Sequence, residues 1–423
     1  MKQSLRKIVV TSVIGNALEF YDFTICGVLI ATLSQVFFPN SNPTLSLFAS
    51  FFAFSAAFWT RPFGAYVFGS IGDRFGRKKA LTISVILMGL PTFFIGILPG
   101  YETLGILSPV ILILCRMVQG VCTGGEYNGA AIFALEHAAN KRPGFISGFI
   151  SASCVMGAIV ATIAGAIVSQ PHMPSWAWRV PFLFGAFISL IGYYVRRQCH
   201  ETPEYLASSR TSSYVQPLLL VFKEYKIPFL VNLLAGGMNG ILSYTLFAFL
   251  NIYLSRYIHI PLEKGIFMNI FGLMAFMFLC PVFGALSDKK TARDSIFLSL
   301  VGVIILSPIS FSLLQAQETI LLGQILLGAL VASFVGPSHA FMQTLFPVKT
   351  RYTGISMSFC IGMAITGGTT PMLLTYLIDL TENLYIPAMW LVVYAIILFS
   401  VLYGTNEQLE NQEKQETNDT KAA

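Results

Sequence analysis

Long apolar stretches separated by short polar connections dominate this sequence. A helix needs about 20 apolar residues to cross a bilayer, and twelve stretches of that kind follow one another along the chain. They lie near residues 12–37, 45–70, 80–98, 107–131, 145–169, 178–195, 227–252, 265–287, 295–315, 319–344, 353–377 and 384–403. Because these stretches are continuous rather than alternating, they predict spanning helices and not a transmembrane β-barrel.

The small number of charged residues excludes several classes of protein. Only 11% of the 423 residues are charged, whereas a soluble protein carries about 25%. That fraction is too low to cover a water-facing surface of this size. The sequence therefore disfavours soluble enzymes, nucleic-acid binders and disordered scaffolds, and it predicts an all-α protein whose partner is the lipid bilayer.

The positions of the basic residues predict the orientation of the chain. With the N-terminus in the cytoplasm, most of the 26 Lys and Arg residues fall in inside connections, and only Arg256 and Lys264 fall in outside ones. An excess of positive charge on the cytoplasmic side is the rule for membrane proteins. Both termini are therefore expected inside. The net charge of +6 reflects this topology rather than a nucleic-acid partner.

One long polar connection divides the chain. It predicts an N-terminal six-helix half (1–197), a central cytoplasmic loop (198–226), a C-terminal six-helix half (227–404) and a disordered cytoplasmic tail (405–423). The segments 69–79 and 284–290 form a faint repeat that follows the second span of each half. Parallel repeats of this kind predict two pseudo-symmetric halves. Acidic residues interrupt the first span, which is therefore not expected to be a cleavable signal peptide.

Motifs of catalysis and cofactor binding are missing from the sequence. It contains no GxxxxGK[ST], HExxH or GxSxG pattern, so neither an enzyme nor an ATP-driven pump is expected. The seven cysteines include no CxxC pair and are expected to be small buried side chains without a metal or disulfide. No cofactor is predicted, and an ion gradient is the expected energy source.

Five ionisable side chains interrupt the first, second and fourth spans. They are Glu19, Asp22, Arg61, Arg116 and Glu126. Each costs about 2.5–3.5 kcal/mol at the centre of a span, so a function is the default interpretation. Their formal charges sum to −1, which leaves one carboxylate without a basic partner. Asp22 and Glu126 are the preferred proton carriers, and Arg116 is expected to modulate them or to bind an anionic substrate group. Static pairing is the alternative.

Further polar residues inside the spans are candidates for binding a substrate. They are Tyr21, Gln119, Asn128, Asn232, Asn239, Tyr244 and His339. Hydrogen bonds between helices are the alternative interpretation for each of them. Because His339 follows Gly336 and Pro337, the sequence allows either a discontinuous helix beside a midplane site or a packed histidine. Arg179, at the outer edge of the sixth span, is expected to act as a snorkelling or capping charge.

Several motifs resemble those of a known family. The stretch 69–79 resembles the signature loop of the major facilitator superfamily. The stretches 15–23, 61–64, 116–127, 201–203 and 346–351 look like those of its metabolite:proton symporter family, and within it like the bacterial proline/betaine transporters. The resemblance implies the twelve-helix major facilitator fold. It also implies a cytoplasmic gating set of Gly69, Asp73, Arg74, Gly76, Arg77, Glu136, Asp288 and Arg351.

The same resemblance implies proton-coupled uptake, by alternating access, of a small polar metabolite such as proline, betaine or an organic acid. The expected location is the bacterial inner membrane. Proton-antiport efflux is an alternative, although the fifth span lacks the internal Gly-Pro break of the superfamily's antiporters. Uptake of a citrate-like polycarboxylate is another alternative. A sensor without transport is the third, since the second signature loop is degraded.

Overall fold

The computed structural model describes residues 5–39, 43–138, 141–170, 172–209 and 217–409, and it contains helices but no strand within these ranges. The helices are α1 (Leu5–Val28), α2 (Ile30–Phe37), α3 (Pro43–Phe75), α4 (Arg77–Ile97), α5 (Tyr101–Leu104), α6 (Leu107–Ala138), α7 (Pro143–Val168), α8 (Arg179–Arg197), α9 (Pro203–Ser209), α10 (Pro217–Glu224), α11 (Lys226–Tyr244), α12 (Leu250–Ile252), α13 (Leu262–Ser287), α14 (Ala292–Gln315), α15 (Ile320–Thr344), α16 (Arg351–Gly362), α17 (Thr370–Thr381) and α18 (Ile386–Gly404). Three π-helical turns, at Thr245–Phe249, Tyr253–Tyr257 and Met363–Gly367, join neighbouring helices.

The all-α prediction is confirmed, because each of the twelve predicted spans coincides with a helical stretch. In the described part of the chain, ten helical stretches are long and apolar enough to cross a membrane. The other two are α3, in which several side chains before Arg61 lie outside the described residues, and α8, in which arginines at both ends reduce the apolar character. Residues 210–216 of the predicted central loop and 410–423 of the predicted tail lie outside the described residues.

Large apolar side chains cover the outer faces of the helices. Leu190 of α8 is 65% exposed, Leu298 of α14 is 64% exposed and Met372 of α17 is 73% exposed. Soluble monomers rarely carry apolar surface of this extent. Since helices also satisfy their own backbone hydrogen bonds, these faces are suited to hydrocarbon. All seven cysteines are buried, as predicted.

The helix around His339 is continuous, so the discontinuous interpretation was wrong. Helix α15 runs through Pro337 without interruption. Proline removes one helical N–H and leaves the carbonyl four residues earlier without its usual partner. Here that carbonyl belongs to Ser333, and the hydroxyl of Ser299 in α14 donates to it at 2.6 Å. A neighbouring helix thus supplies the bond that the proline removes.

The chain divides into two compact units. The first comprises Met1–His137 and Ser153–Arg210, and the second comprises Ala138–Ala152 and Thr211–Ala423. In the first unit, Phe37 and Phe182 both pack edge-on against Trp178. The ring centroid of Trp178 lies 5.6 Å from that of Phe37 and 6.1 Å from that of Phe182, so these contacts join α2 to α8. In the second unit, hydrogen bonds between helices include that from Ser310 of α14 to the carbonyl of Gly323 in α15 (2.8 Å).

Candidate functional site

The polar residues of the first unit are brought together by close packing of α3 on α6. A Cβ atom at Gly124 would lie 2.1 Å from the carbonyl oxygen of Arg61, so only glycine allows the two backbones to approach this closely. Arg61 and Arg116 then both reach the ring of Phe23 in α1. Their guanidinium carbons lie 4.9 and 5.5 Å from its centroid. Helices α1, α3 and α6 therefore meet at these side chains.

Asp22 is connected to Arg116 through two neutral side chains. Its Oδ2 lies 3.0 Å from the hydroxyl of Thr92 in α4, and Gln119 donates from Nε2 to that hydroxyl at 2.8 Å. Arg116 in turn donates from Nη1 to Oε1 of Gln119 at 2.8 Å. The Oδ1 atom of Asp22 is buried and makes no hydrogen bond within the described ranges. The carboxylate is thus held by a hydroxyl rather than by a cation.

Glu126 forms a buried ion pair with Arg196 of α8. Arg196 donates from Nη1 to Oε2 at 2.9 Å and from Nη2 to Oε1, which is the two-pronged geometry typical of strong pairs. The hydroxyl of Ser84 also donates to Oε2. Arg196 further donates to the carbonyl of Leu81 at 2.8 Å. Both side chains of the pair are at least nine-tenths buried.

Glu19 is the third carboxylate of the cluster and is 3% exposed. It lies within electrostatic reach of Glu126, Asp22, Arg61 and Arg196. Its Oε2 nevertheless makes no hydrogen bond to any described residue. It also lines a small cavity together with Glu126. The cavity is bordered by Gly15, Leu18, Glu19, Ser84, Val85, Met88, Cys122, Glu126 and Ser189.

The charge balance of the cluster differs from the sequence sum, which omitted Arg196. With Arg196 included, three carboxylates face three guanidiniums and the formal charges cancel. The pairing is uneven, however. In the part of the chain that the structure describes, Glu126 has a cation within 4.0 Å, whereas Glu19 and Asp22 have none. Two of the three buried carboxylates therefore have no cation within this distance among the described residues.

The remaining candidates of the first unit are all at most 2% exposed. Tyr21 donates its hydroxyl to the carbonyl of Pro181 at 2.8 Å, which connects α1 to α8. Gln119 belongs to the chain that ends on Asp22. Asn128 is buried in α6, and its Oδ1 makes no hydrogen bond among the described residues. Of these three residues, Gln119 is hydrogen-bonded to Arg116 and, through Thr92, connected to Asp22.

The candidate residues of the second unit are buried or partly buried in its helices. Asn232 donates to the carbonyl of Ile355 at 3.0 Å and to the hydroxyl of Ser358 at 2.6 Å, and it is fully buried. Its hydrogen bonds therefore join α11 to α16, which is the alternative that the sequence allowed. Asn239 is 3% exposed, and Tyr244 is partly buried. His339 is 2% exposed.

The signature loop of the first unit centres on fully buried Arg77. Its Nη1 lies 3.2 Å from Oδ1 of Asp73, and its Nη2 lies 3.1 Å from Oε1 of Glu136. Nη1 also donates to the carbonyl of Gly72 at 2.8 Å. Thr202, beyond the sixth span, donates its hydroxyl to Oε2 of Glu136 at 2.5 Å. The cluster thus joins the loop to α6 and to the segment after α8.

Glu201 caps the first turn of α4. Its carboxylate accepts the N–H groups of Arg77 and Lys78, each at 3.1 Å. A helix N-terminus carries unpaired N–H groups and partial positive charge, so a carboxylate there is stabilising. Tyr205 donates its hydroxyl to the carbonyl of Arg74 at 2.8 Å. Partial burial raises the pKa of Tyr205 above its ordinary value, which keeps that donor protonated.

We expect Gly76→Ala to destabilise the first unit by about 2 kcal/mol. Gly76 has φ 103° and ψ 151°, a conformation that costs other residues about 1–3 kcal/mol. Its Cβ would also lie 2.1 Å from Oε2 of Glu201. Chemical unfolding in detergent measures the effect. The control is Gly302→Ala in α14, where a Cβ meets no atom within 4 Å. Equal stability of the two variants would contradict the prediction.

The second unit has a related contact at its own signature loop. Asp288 follows α13, and its carboxylate accepts the N–H groups of Gly144 (2.7 Å) and Phe145 (3.0 Å) in the first turn of α7. Arg351, at the start of α16, donates from Nε to the carbonyl of Phe346 at 3.1 Å. Gly69, in the first unit, is buried in α3. Each unit therefore has an acidic side chain on a helix N-terminus.

Six side chains of these clusters are not among the predicted site residues: Ser84, Thr92, Arg196, Glu201, Thr202 and Tyr205. Ser84 and Thr92 are hydroxyl residues inside an apolar span and give no distinct signal of their own. Glu201 and Thr202 belong to the stretch 201–203 that resembles a family motif, which gives them no individual role. Arg196 was counted as a cytoplasmic charge, although it lies on the same helix face as the buried residues Ser189 and Gly192. That spacing was the one available signal.

Comparison with known sequences gives consistent matches. The family described as Major Facilitator Superfamily matches residues 13–322. The proline/betaine transporter of Escherichia coli (strain K12) is 32% identical over 409 residues, which cover 93% of this chain and 82% of that protein. The glycine betaine/proline/ectoine/pipecolic acid transporter OusA of Dickeya dadantii (strain 3937) is also 32% identical over 409 residues, covering 93% and 81%.

Solved structures share the fold. The major facilitator proton:xylose symporter XylE, bound to 6-bromo-6-deoxy-D-glucose, aligns with a TM-score of 0.76 over 95% of each chain at 14% identity. FucP, a major facilitator transporter in the outward conformation, aligns with a TM-score of 0.71 over 93% of this chain and 98% of its own, again at 14% identity. These likenesses establish the twelve-helix fold of the chain.

Proposed function

The chain belongs to the major facilitator superfamily and is a multi-pass membrane transporter rather than an enzyme. We propose that it imports a small zwitterionic metabolite together with protons. The observation that carries the proposal is the pair of buried carboxylates without a cation, Glu19 and Asp22, in the first unit. Proline and betaine, after which the relatives are named, are the favoured solutes.

The carboxylates support proton coupling for a physical reason. A charged carboxylate buried without a cation is costly, whereas its protonated form is neutral and tolerated. Asp22 and Glu19 can therefore change charge when a proton arrives. Glu126 is paired instead with Arg196, and we propose that it belongs to the framework of the site. We propose Asp22 as the main proton carrier and Glu19 as its neighbour.

The loop clusters are the basis on which we propose a gating role. Arg77 connects Asp73 to Glu136 in the first unit, and Asp288 caps α7 in the second. We propose that these contacts break and form again as the cytoplasmic side opens and closes. We propose that the predicted gating residues act in this way, in a bacterial inner membrane with both termini in the cytoplasm.

Uptake into proteoliposomes under an imposed inward proton gradient tests the function. The labelled panel is proline, glycine betaine, 2-oxoglutarate, citrate and shikimate. We expect accumulation of proline or glycine betaine that a protonophore abolishes. Accumulation of citrate alone would support the polycarboxylate alternative. Accumulation of no compound by folded, inserted protein would contradict import of this panel, and gradient-driven exit would support efflux.

A further inference from the structure

Two phenylalanine rings of the first unit meet at a right angle beside Arg61. The centroids of Phe23 in α1 and Phe58 in α3 are 5.0 Å apart, and their planes are 90° apart. We name this pair the Phe23–Phe58 corner. The guanidinium carbon of Arg61 lies 4.9 Å from the first centroid and 4.4 Å from the second. Aromatic cages bind quaternary ammonium ligands in the same way, by placing ring faces around one cation.

Among the described residues, the Arg61 side chain contacts two aromatic rings and forms no ion pair with a carboxylate. No Asp or Glu oxygen in the described ranges lies within 4.0 Å of its side-chain nitrogens, and its Nε makes no hydrogen bond there. A guanidinium carries five N–H donors and is costly to desolvate without acceptors. Arg61, Phe23 and Phe58 are all partly exposed, so a small solute can reach them. Arg61 therefore retains the capacity to bind an anionic group.

A second guanidinium strengthens this preference. Arg116 lies 5.5 Å from the centroid of Phe23, on which Arg61 also rests. Two positive charges beside one ring repel each other, and a nearby anion offsets that repulsion. The bidentate geometry of guanidinium suits a carboxylate in particular. The surroundings of the Phe23–Phe58 corner thus favour a ligand that brings its own carboxylate.

We propose that the Phe23–Phe58 corner and Arg61 form the subsite for the transported solute, and that this solute is a zwitterion with its ammonium group close to a carboxylate. In the empty site, Arg61 fills the corner as a substitute cation. When the solute binds, its carboxylate pairs with Arg61 and its ammonium replaces the guanidinium against the two rings. The inference rests on the proposed function, since it names the class of substrate for that transport.

Three compounds of similar size distinguish the contribution of the aromatic corner, which binds the ammonium group, from that of Arg61, which binds the carboxylate. Glycine betaine carries a trimethylammonium and a carboxylate. Choline carries only the cation, and 3,3-dimethylbutanoate is the uncharged-head isostere that carries only the carboxylate. We expect glycine betaine to bind the detergent-solubilised protein about tenfold more tightly than either of the others, since each of them loses one of two charge contacts. Isothermal titration calorimetry measures the affinities.

Substitutions then assign each contact. We expect Phe58→Leu to weaken glycine betaine about tenfold, the effect of one desolvated cation–π contact, and to leave 3,3-dimethylbutanoate unchanged. Phe58→Tyr keeps the ring and should retain the binding of glycine betaine. Arg61→Gln should weaken both carboxylate compounds and not choline. The matched control is Phe63→Leu in the same helix, where the side chain is 61% exposed and the affinities should not change.

Several results would overturn the subsite. One is equal affinity for glycine betaine and 3,3-dimethylbutanoate in the unaltered protein, and another is unchanged glycine betaine binding in a folded Phe58→Leu variant. If that variant does not fold, the three-compound comparison and Phe58→Tyr decide the question. Binding in detergent needs no gradient. Gradient-driven uptake of glycine betaine together with unchanged glycine betaine binding in a folded Phe58→Leu variant would thus reject the subsite alone, and the expected binding pattern without gradient-driven uptake would reject proton symport alone.

Discussion

We expect the substitution Arg196→Leu to lower the free energy of unfolding by about 3–5 kcal/mol, the usual effect of removing one partner from a buried ion pair. The carboxylate of Glu126 would be left with the hydroxyl of Ser84 as its remaining donor. Arg196 also holds the carbonyl of Leu81, so α4 would lose a contact with α8. Denaturant unfolding in detergent, followed by circular dichroism, measures the change.

The adjacent residue gives a matched control. Arg197 has the same charge in the same helical turn, but it is exposed, so Arg197→Leu should change stability by at most about 0.5 kcal/mol. The double variant Arg196→Leu with Glu126→Gln should recover part of the loss, because the carboxylate that Arg196 paired with is then replaced by a neutral amide. If the Arg196 and Arg197 variants are equally stable, the ion pair does not support the fold in the way described here.

We expect Asp22→Asn to reduce proton-driven accumulation about 100-fold or more, the scale of losing one acid–base group. Asparagine has nearly the shape of aspartate, and its amide oxygen still accepts from Thr92, which now donates at 3.0 Å to the carboxylate. The amide does not bind or release a proton near neutral pH. Exchange of labelled for unlabelled solute across the membrane needs no net proton movement and should therefore persist.

The control for Asp22→Asn is Glu102→Gln, which neutralises an exposed carboxylate in α5 and should leave accumulation unchanged. Both rates are measured in the same proteoliposomes, with and without an imposed pH gradient. Full accumulation by the Asp22 variant would reject Asp22 as the proton carrier. The same assay on Glu19→Gln then tests the neighbouring carboxylate.

The sequence predicts the helices well because the bilayer imposes a length on each apolar stretch. All twelve predicted spans coincide with helical stretches. Their internal irregularities were less predictable, since those depend on residues far along the chain. Pro337 indicated a break, but Ser299 repairs the helix from 34 positions before Ser333. No residue close to Pro337 in the sequence indicates that Ser299 donates this hydrogen bond.

The sequence predicts which carboxylates belong to the site, but it does not predict which of them is paired with an arginine. Burial cost identifies Glu19, Asp22 and Glu126 as unusual without any structure. It does not say which of them has a cation. Arg196 stands at the cytoplasmic end of a span, where the positive-inside rule already explains an arginine. Arg196 is both a cytoplasmic positive charge and the partner of Glu126, and the ion pair becomes visible only when α8 is packed in the structure.

The cap on α4 has a consequence for biosynthesis. Glu201 follows Arg77 by 124 positions, so the ribosome finishes the helix long before it adds the residue that caps it. At a synthesis rate of about 5–20 residues per second, the N–H groups of that turn remain without this acceptor for several seconds or more. Thr202 closes the neighbouring cluster at Glu136 over the same interval. The first unit therefore cannot reach its final structure until the segment after its sixth span has been translated, and a nascent chain stopped before residue 201 should stay open to quality-control proteases.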